Sequence, residues 1–459
     1  MSTSGLQRAR AAMEQAGVND AAIKAFELHY GELAEGATGL IAEDSITPMT
    51  EAPSLEDVDV DEEQARAALQ QTAVVKLNGG LGTSMGMTQA KSLLTVREGK
   101  SFLDIVVQQV LAARARFDAP LPLLLMNSFN TREDTLRALQ RYPDLAVDGL
   151  PLDFMQSQEP KLRADDLTPV EWPANPALEW CPPGHGDLYP SLLSSGVLRA
   201  LLDQGIRYAS VSNVDNLGAG PDARLAGWFA ASGAPYAAEV CVRTAMDRKG
   251  GHLAVRKSDG RLILRDTAQT ADEELHFFTD EHRHPFFHTN NLWFDVERLL
   301  GELERSGGVL HLPLIRNSKT VDPTDKTSPK VFQIETAMGA AIELFEGAQA
   351  IEVPRSRFLP VKTTNELLLL RSDVYDLTDE GRLTRVSEAA LTIDLSGEHY
   401  KRIADFEERF AHGAPSLREA RRLTVAGDYA FGADVTVRGE VTLPATDGQE
   451  QVADGTVLG

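Results

Sequence analysis

At 459 residues the chain is too long for one ordinary core, and about 100 to 200 residues per domain predicts two or three structural units. Acidic residues outnumber basic ones, 68 to 45, and the formal charge of -23 excludes a body-wide attraction to nucleic acid or an anionic membrane. Any phosphate must therefore meet a local cluster of cations.

Met1 to Asp20 holds Arg8 and Arg10 but no unbroken apolar run, so it does not read as a secretory signal. Asp20 can cap a helix in which Ile23, Phe26, Tyr30 and Leu33 share one face, a face expected to pack on the main body. Glu43 to Glu63 lacks periodicity and is rich in Glu, Asp, Pro, Ser and Thr, which predicts a solvated linker. From Ala73 onward short apolar runs alternate with helical patterns: Ala73 to Leu77, a Gly-rich loop, Phe102 to Phe117, Leu121 to Met126, then Tyr208 to Ser212 and Tyr236 to Val242. The alternation predicts an α/β fold with a doubly wound, mainly parallel sheet, whose ligands lie beyond the carboxyl ends of the strands.

Toward the C-terminus Leu423, Tyr429, Val435 and Val441 recur every sixth residue, and Val425, Phe431, Val437 and Leu443 do so two positions later. This is the period of a hexapeptide β-helix; two amphipathic strands turned at Gly427, Gly432 and Gly439 are the alternative. Nowhere does the chain reach the roughly 20 consecutive apolar residues of a membrane span. Cys181 and Cys241 have neither metal-ligand nor redox spacing and read as reduced structural thiols, so a cytoplasmic location is expected.

The strongest local signal is Lys76-Leu-Asn-Gly-Gly-Leu-Gly-Thr-Ser-Met-Gly-Met-Thr-Gln-Ala-Lys-Ser92, directly after an apolar strand. Its glycines let backbone N–H groups approach a phosphate, and a helix after the loop would add a favourable dipole. Ala90 before Lys91 excludes a Walker A loop, and Met85 excludes a dinucleotide fingerprint starting at Gly80. Four further blocks stand out: Pro182-Pro183-Gly184-His185-Gly186-Asp187; Ser212-Asn213-Val-Asp215-Asn216; Phe287-His-Thr-Asn-Asn-Leu-Trp293; and Val353 to Thr364, which ends in Lys362 before a helix. Gln333 to Gly339 is expected to open an apolar helix. On spacing alone Asp215 is as readily a turn residue as a Mg²⁺ ligand at a strand end, and His185 has a purely structural alternative.

These blocks, in this order, resemble the eukaryotic-type UTP:glucose-1-phosphate uridylyltransferases. The resemblance implies a Rossmann-like, GT-A-like nucleotidyltransferase sheet with a C-terminal left-handed β-helix. It divides the chain into a helical segment and acidic linker (1–70), a catalytic domain binding nucleotide and sugar phosphate (71–385) and a β-helix segment (386–459). The substrates implied are UTP and glucose 1-phosphate, the products UDP-glucose and pyrophosphate, with Mg²⁺ as cofactor; monomers and homo-oligomers are both covered.

Residue by residue, the resemblance places the nucleotide on Leu77, Asn78, Gly79 and Gly80, the uracil against Gly184 and Gln156 (in preference to Gln158), and the sugar phosphate on His185, Asn213 and Asn290. Lys91 and Lys362 become the phosphate-binding cations and Asp215 the metal ligand. Gln89-Ala90 replaces the usual Gly-Pro and His288 an asparagine; Arg355 and Arg357 are either solvated or loop supports. Glucose 1-phosphate is ionised at neutral pH, since a phosphate monoester has its second pKa near ~6, so no general base is needed. A broader UDP-sugar pyrophosphorylase, a silent UDP-sugar-binding scaffold and a glycosyltransferase are the rival readings; Asp215 lacks the Asp-x-Asp partner of the last.

Overall fold

The computed structural model describes residues 3–244, 247–248, 250–387 and 391–459. Seven strands make the central sheet: β1 (Thr72–Asn78), β2 (Leu123–Asn127), β3 (Asp153–Met155), β4 (Tyr208–Asn213), β5 (Tyr236–Val242), β6 (Phe286–Asp295) and β7 (Gln349–Glu352). Alternation along β1 explains its central place. Val74 points into one core with Leu123, Leu125, Val106 and Val110, while Ala73 and Val75 point into another with Leu124, Leu198 and Leu201. A strand buried on both faces must be apolar throughout, which is why these runs read as continuous rather than alternating.

The spatial order is β7-β5-β6-β4-β1-β2-β3. β1 is parallel to β2 and β4, β2 to β3, and β5 to β7; β6 alone runs antiparallel, between β4 and β5. The sheet is therefore mainly parallel, as expected. From β1 the chain runs to β2 and β3 on one side and returns to β4 on the other. The crevice between β1 and β4 is thus a topological switch point, where such sheets bind ligands.

The helix Phe102–Phe117 has the predicted bounds; Ser101 caps it reciprocally with Asp104, and it buries Phe102, Ile105, Val106 and Val110. At the N-terminus the helix Asp20–Ala34 is capped by Asn19, which accepts from the Ala22 N–H, so Asp20 occupies the first turn instead. Ile23, Phe26, Tyr30 and Leu33 pack on Leu162, Leu314 and Ile334, as the periodicity required.

Three local expectations are corrected. The acidic stretch after Glu43 is not free chain: buried Glu43 pairs with Arg265, Arg283 and His284, Ile46–Pro48 adds a strand beside His252–Arg256, and Ser54 bridges Glu352. Composition alone cannot reveal that Glu43 has basic partners more than two hundred residues away. The glycine loop leads into short 3₁₀ turns, Thr83–Met85 and Lys91–Leu93, so the expected α-helix does not follow it directly. Gln333 lies in the strand Lys330–Glu335, and the apolar run after it is a 3₁₀ segment, Met338–Leu344. Gly339 there packs so closely on His288 that a Cβ would lie 2.8 Å from its ring.

In the C-terminal part, Thr392–Leu395, Ser416–Val425, Thr436–Leu443 and Val457–Leu458 pair in parallel, placing Leu423 opposite Val441 and Val425 opposite Leu443. Tyr429–Phe431 pairs in parallel with Glu450–Val452. Phe410 stacks on Phe431 with ring centroids 4.8 Å apart, inside the same core that holds Val74 and Val361. Among the described residues no helix is long and apolar enough to cross a membrane.

Candidate active site

Beyond the carboxyl ends of β1 and β4 opens a cleft of about 450 Å³, a volume suited to a small organic ligand. Its lining gathers Leu77, Gly79, Gly80, Lys91, Gln156, Gly184, His185, Asn213 and Asp215 from segments far apart in the chain. A cavity of similar size, about 480 Å³, lies behind the Leu217–Gly220 turn but holds neither Lys91 nor the glycine loop. The chemistry therefore points to the first.

At one end, the Gln156 N–H donates to the Asn127 carbonyl at the tip of β2, and its side-chain amide donates to the Gly184 carbonyl at 3.2 Å. A Cβ on Gly79 would lie 2.4 Å from the Gln156 Oε1, so a glycine is what lets the loop and the amide meet. Gln158 does not line the cleft. Buried Asp187 accepts from the Ser157 N–H at 2.6 Å and from the Ser191 hydroxyl, which fixes the backbone beside Gln156. Burial pushes the Asp187 carboxyl up to about 7, against the pull of those hydrogen bonds.

Gly184 has φ +77°, and a Cβ there would sit 2.6 Å from the Thr336 carbonyl oxygen. Gly184→Ala combines an unfavourable left-handed backbone with that clash, so the turn facing Gln156 must move. Loss of at least about ten-fold in kcat/KM, carried mainly by the KM for the nucleotide, is the expected steady-state result. An unchanged KM would detach Gly184 from the cleft's function.

In the middle, the Lys91 Nζ donates to the Asp215 Oδ2 and to the Val361 carbonyl, both at 2.5 Å. Both side chains keep a small exposed fraction, 16% and 17%, on the cleft side. Lys362 follows Val361 directly and is exposed, so the ammonium of one lysine touches the backbone that carries the other. Lys362 itself does not line the cleft. Asn78 does not line the cleft; its amide is buried and donates to Asn127 and Thr135, so its side chain anchors the loop beneath the cleft.

At the other end, the Asn290 amide, which does not itself line the cleft, donates to the Asn213 Oδ1 at 3.2 Å. Asn290 has φ +62° where the β5–β6 register slips, and such a bulge re-aims a side chain, here toward the end of β4. The Met338 N–H donates to the His185 Nδ1 at 2.9 Å. Burial lowers the His185 pKa, Asp266 opposing, so the ring is neutral and its proton sits on Nε2.

His288 accepts from the Asn290 N–H on Nδ1, and burial, with His185 nearby, pushes it down to about 4. Unfolded, the ring takes up a proton near 6.5; folded, it does so only near 4. Its stabilising contribution is full above pH 6.5 and is lost as pH falls through 4. His288→Asn keeps an acceptor without this titration, so the variant should lose about 2 kcal/mol less stability than the parent between pH 7 and pH 5. Urea unfolding of both proteins at the two pH values measures this, and identical pH dependence refutes it. Comparing the pair cancels Asp187, whose raised pKa acts in the opposite sense.

Several residues around the cleft have partners that the motifs do not reveal. Lys76, 1% exposed, donates to the Ser212 hydroxyl and the Ala219 carbonyl, and burial lowers it to about 7. Glu239, 1% exposed in β5, pairs with Arg357. Both interrupt otherwise apolar buried strands, and that interruption was the available signal. Arg355 binds Asp247 through two hydrogen bonds and lies over Phe287 and Phe358, so both arginines support loops.

The family described as UTP–glucose-1-phosphate uridylyltransferase matches residues 23–438. The chain belongs to this family. The uridylyltransferase of Solanum tuberosum is 40% identical over 421 residues, covering 90% of this chain and 84% of the relative. That of Saccharomyces cerevisiae is 40% identical over 402 residues, covering 85% and 77%. Among solved structures, a Leishmania major UDP-glucose pyrophosphorylase variant in complex with UDP-glucose is 43% identical with a TM-score of 0.91, covering 99% of this chain and 98% of that one. A Trypanosoma brucei UDP-glucose phosphorylase is 42% identical with a TM-score of 0.89, covering 99% of each chain. This uridylyltransferase-family chain thus shares the fold over nearly its whole length.

Proposed function

We infer that the chain transfers the uridylyl group of UTP to glucose 1-phosphate, releasing pyrophosphate and forming UDP-glucose. The observation that carries this reading is the Lys91–Asp215 pair at the mouth of the glycine loop, at the switch point between β1 and β4. A cation and a carboxylate converge there where backbone amides are exposed. UTP binds with its uracil against Gly184 and Gln156 and its phosphates along Gly79, Gly80 and Lys91; glucose 1-phosphate takes the end formed by His185, Asn213 and Asn290.

A phosphate oxygen of glucose 1-phosphate attacks the α-phosphorus in line. The new O–P bond forms as the bond to the β-phosphate oxygen breaks, and the electron pair leaves with pyrophosphate. Because the nucleophile is already ionised, the barrier comes from crowding negative groups and from charge growing on the leaving group. Lys91 meets that charge from the loop, and Lys362 meets it from the segment that Lys91 grips. His185, held neutral, donates through Nε2 toward the sugar phosphate without adding charge.

Asp215 is the residue that would hold Mg²⁺. Among the described residues no three acidic, histidine or cysteine side chains cluster to hold a metal. A lone carboxylate fits an ion that is bound by one or two carboxylates and the substrate's own phosphates. When bound, the ion supplies further neutralisation of the phosphates.

The same reading makes 71–385 the catalytic unit between an N-terminal segment, 1–70, and the coils of 386–459, whose parallel pairing and six-residue period support a left-handed β-helix. Two free, buried cysteines suit the cytoplasm. The test is pyrophosphate released from UTP with glucose 1-phosphate, galactose 1-phosphate or N-acetylglucosamine 1-phosphate at equal concentration. Release with glucose 1-phosphate alone supports the strict enzyme, equal release with all three the broader one, and none with any refutes both.

A further inference from the structure

The fully buried Glu239 carboxylate accepts four hydrogen bonds: from Asn291 Nδ2 at 3.1 Å, Trp293 Nε1 at 3.0 Å, and Arg357 Nε and Nη2 at 2.8 and 2.9 Å. Burial pushes its pKa up, but Arg357, Trp293 and Asn291 outweigh it and hold the group ionised. Neither Glu239 nor Arg357 lines the cleft. Asn291 and Arg357, however, each lead to a residue assigned to the site.

Asn291 belongs to the bulge of β6 that turns Asn290 toward Asn213. The Arg357 carbonyl accepts from the Asn216 amide at 3.1 Å, next to Asp215. The Asn216 Oδ1 accepts in turn from the Leu359 N–H at 2.8 Å, three residues before Lys362, and Asn216 bridges Pro360. One buried anion therefore ties together the bulge of Asn290, the turn of Asp215 and the segment of Lys362. Lys76 ties the two ends of the same turn, Ser212 and Ala219.

We propose that Glu239 is a positioning residue, which orients the segments carrying Asn290, Asp215 and Lys362 relative to one another and so governs turnover without touching substrate. The proposal rests on the uridylyltransfer reading. An apolar pair of the same volume would fill this space equally well, but packing is non-directional, whereas a carboxylate with four satisfied hydrogen bonds admits one arrangement of its neighbours. Uracil recognition is outside its reach, because Gln156 and Gly184 hang from β2, β3 and the edge near Thr336.

The test uses two variants of the full chain. Glu239→Gln strands the Arg357 guanidinium and is expected to melt at a lower temperature; Glu239→Gln with Arg357→Met removes the stranded charge and recovers most of that loss. In the double variant, kcat falls at least about ten-fold while the KM for UTP stays within about two-fold, because misplacement affects the reacting end alone. Hydrogen exchange of the apo proteins gives a readout independent of activity: amides in residues 214–219 and 359–363 exchange about ten-fold faster or more in the double variant, while those in 156–158 keep the parental rate. Parental exchange in the first two segments overturns the proposal whatever happens to turnover, and so does parental kcat in a well-folded double variant. Failure of the parent to release pyrophosphate would instead overturn the function, leaving exchange to decide the positioning role.

Discussion

Lys362→Ala is expected to lower kcat by about three orders of magnitude while leaving the melting temperature unchanged. Removing one preorganised donor aimed at developing charge typically costs about 10²–10³ in rate, and a full cation on a transferring phosphoryl group more. Lys362 is exposed and holds no part of the core, so its removal leaves neither a cavity nor a stranded ion. Lys91→Ala should lose at least as much activity but also stability, because its ammonium grips both Asp215 and the Val361 carbonyl. Measured by single-turnover kinetics beside thermal melts, near-normal chemistry in the Lys362 variant would remove that residue from the mechanism.

Chelation should have the other large effect. With excess EDTA, pyrophosphate release is expected to fall below detection and to return on adding Mg²⁺ beyond the chelator, because among the described residues Asp215 belongs to no cluster of three or more metal-ligating side chains that could keep an ion without the nucleotide's phosphates. The same property predicts weak metal binding in the absence of UTP, which calorimetry can check. Full turnover without divalent ions would discard Asp215 as a ligand.

How far the chain could be read in advance depended on whether the information was local. Phe102–Phe117 and Tyr236–Val242 came out with the predicted bounds because helix capping and a doubly buried strand are written in adjacent residues. The cleft residues were named through motifs, and the fold gathers Gly79, Lys91, Gln156, Gly184 and Asp215 around one opening. What was hidden is long-range. Nothing near Glu43 announces Arg265, nothing near Asn78 announces Thr135, and nothing in the apolar run of β5 says that Glu239 will meet Arg357 more than a hundred residues later. The direction of β6 is hidden in the same way, since a buried strand looks alike whichever way it runs. The 3₁₀ turns after the glycine loop and after Ala337 differ from the expected helices because a few residues of sequence do not separate a tight turn from a true helix.

The stacking of Phe410 on Phe431 belongs to a hydrophobic interior that runs without a break from Val74 of the central sheet through Val361 to Leu423 and Val437 of the terminal coils. The tail is thus no appendage that can be trimmed away. Severing it would strip the back of the very layer on which the Lys362 segment rests, so the coils from Thr392 onward are as much a part of the catalyst's frame as its first strand.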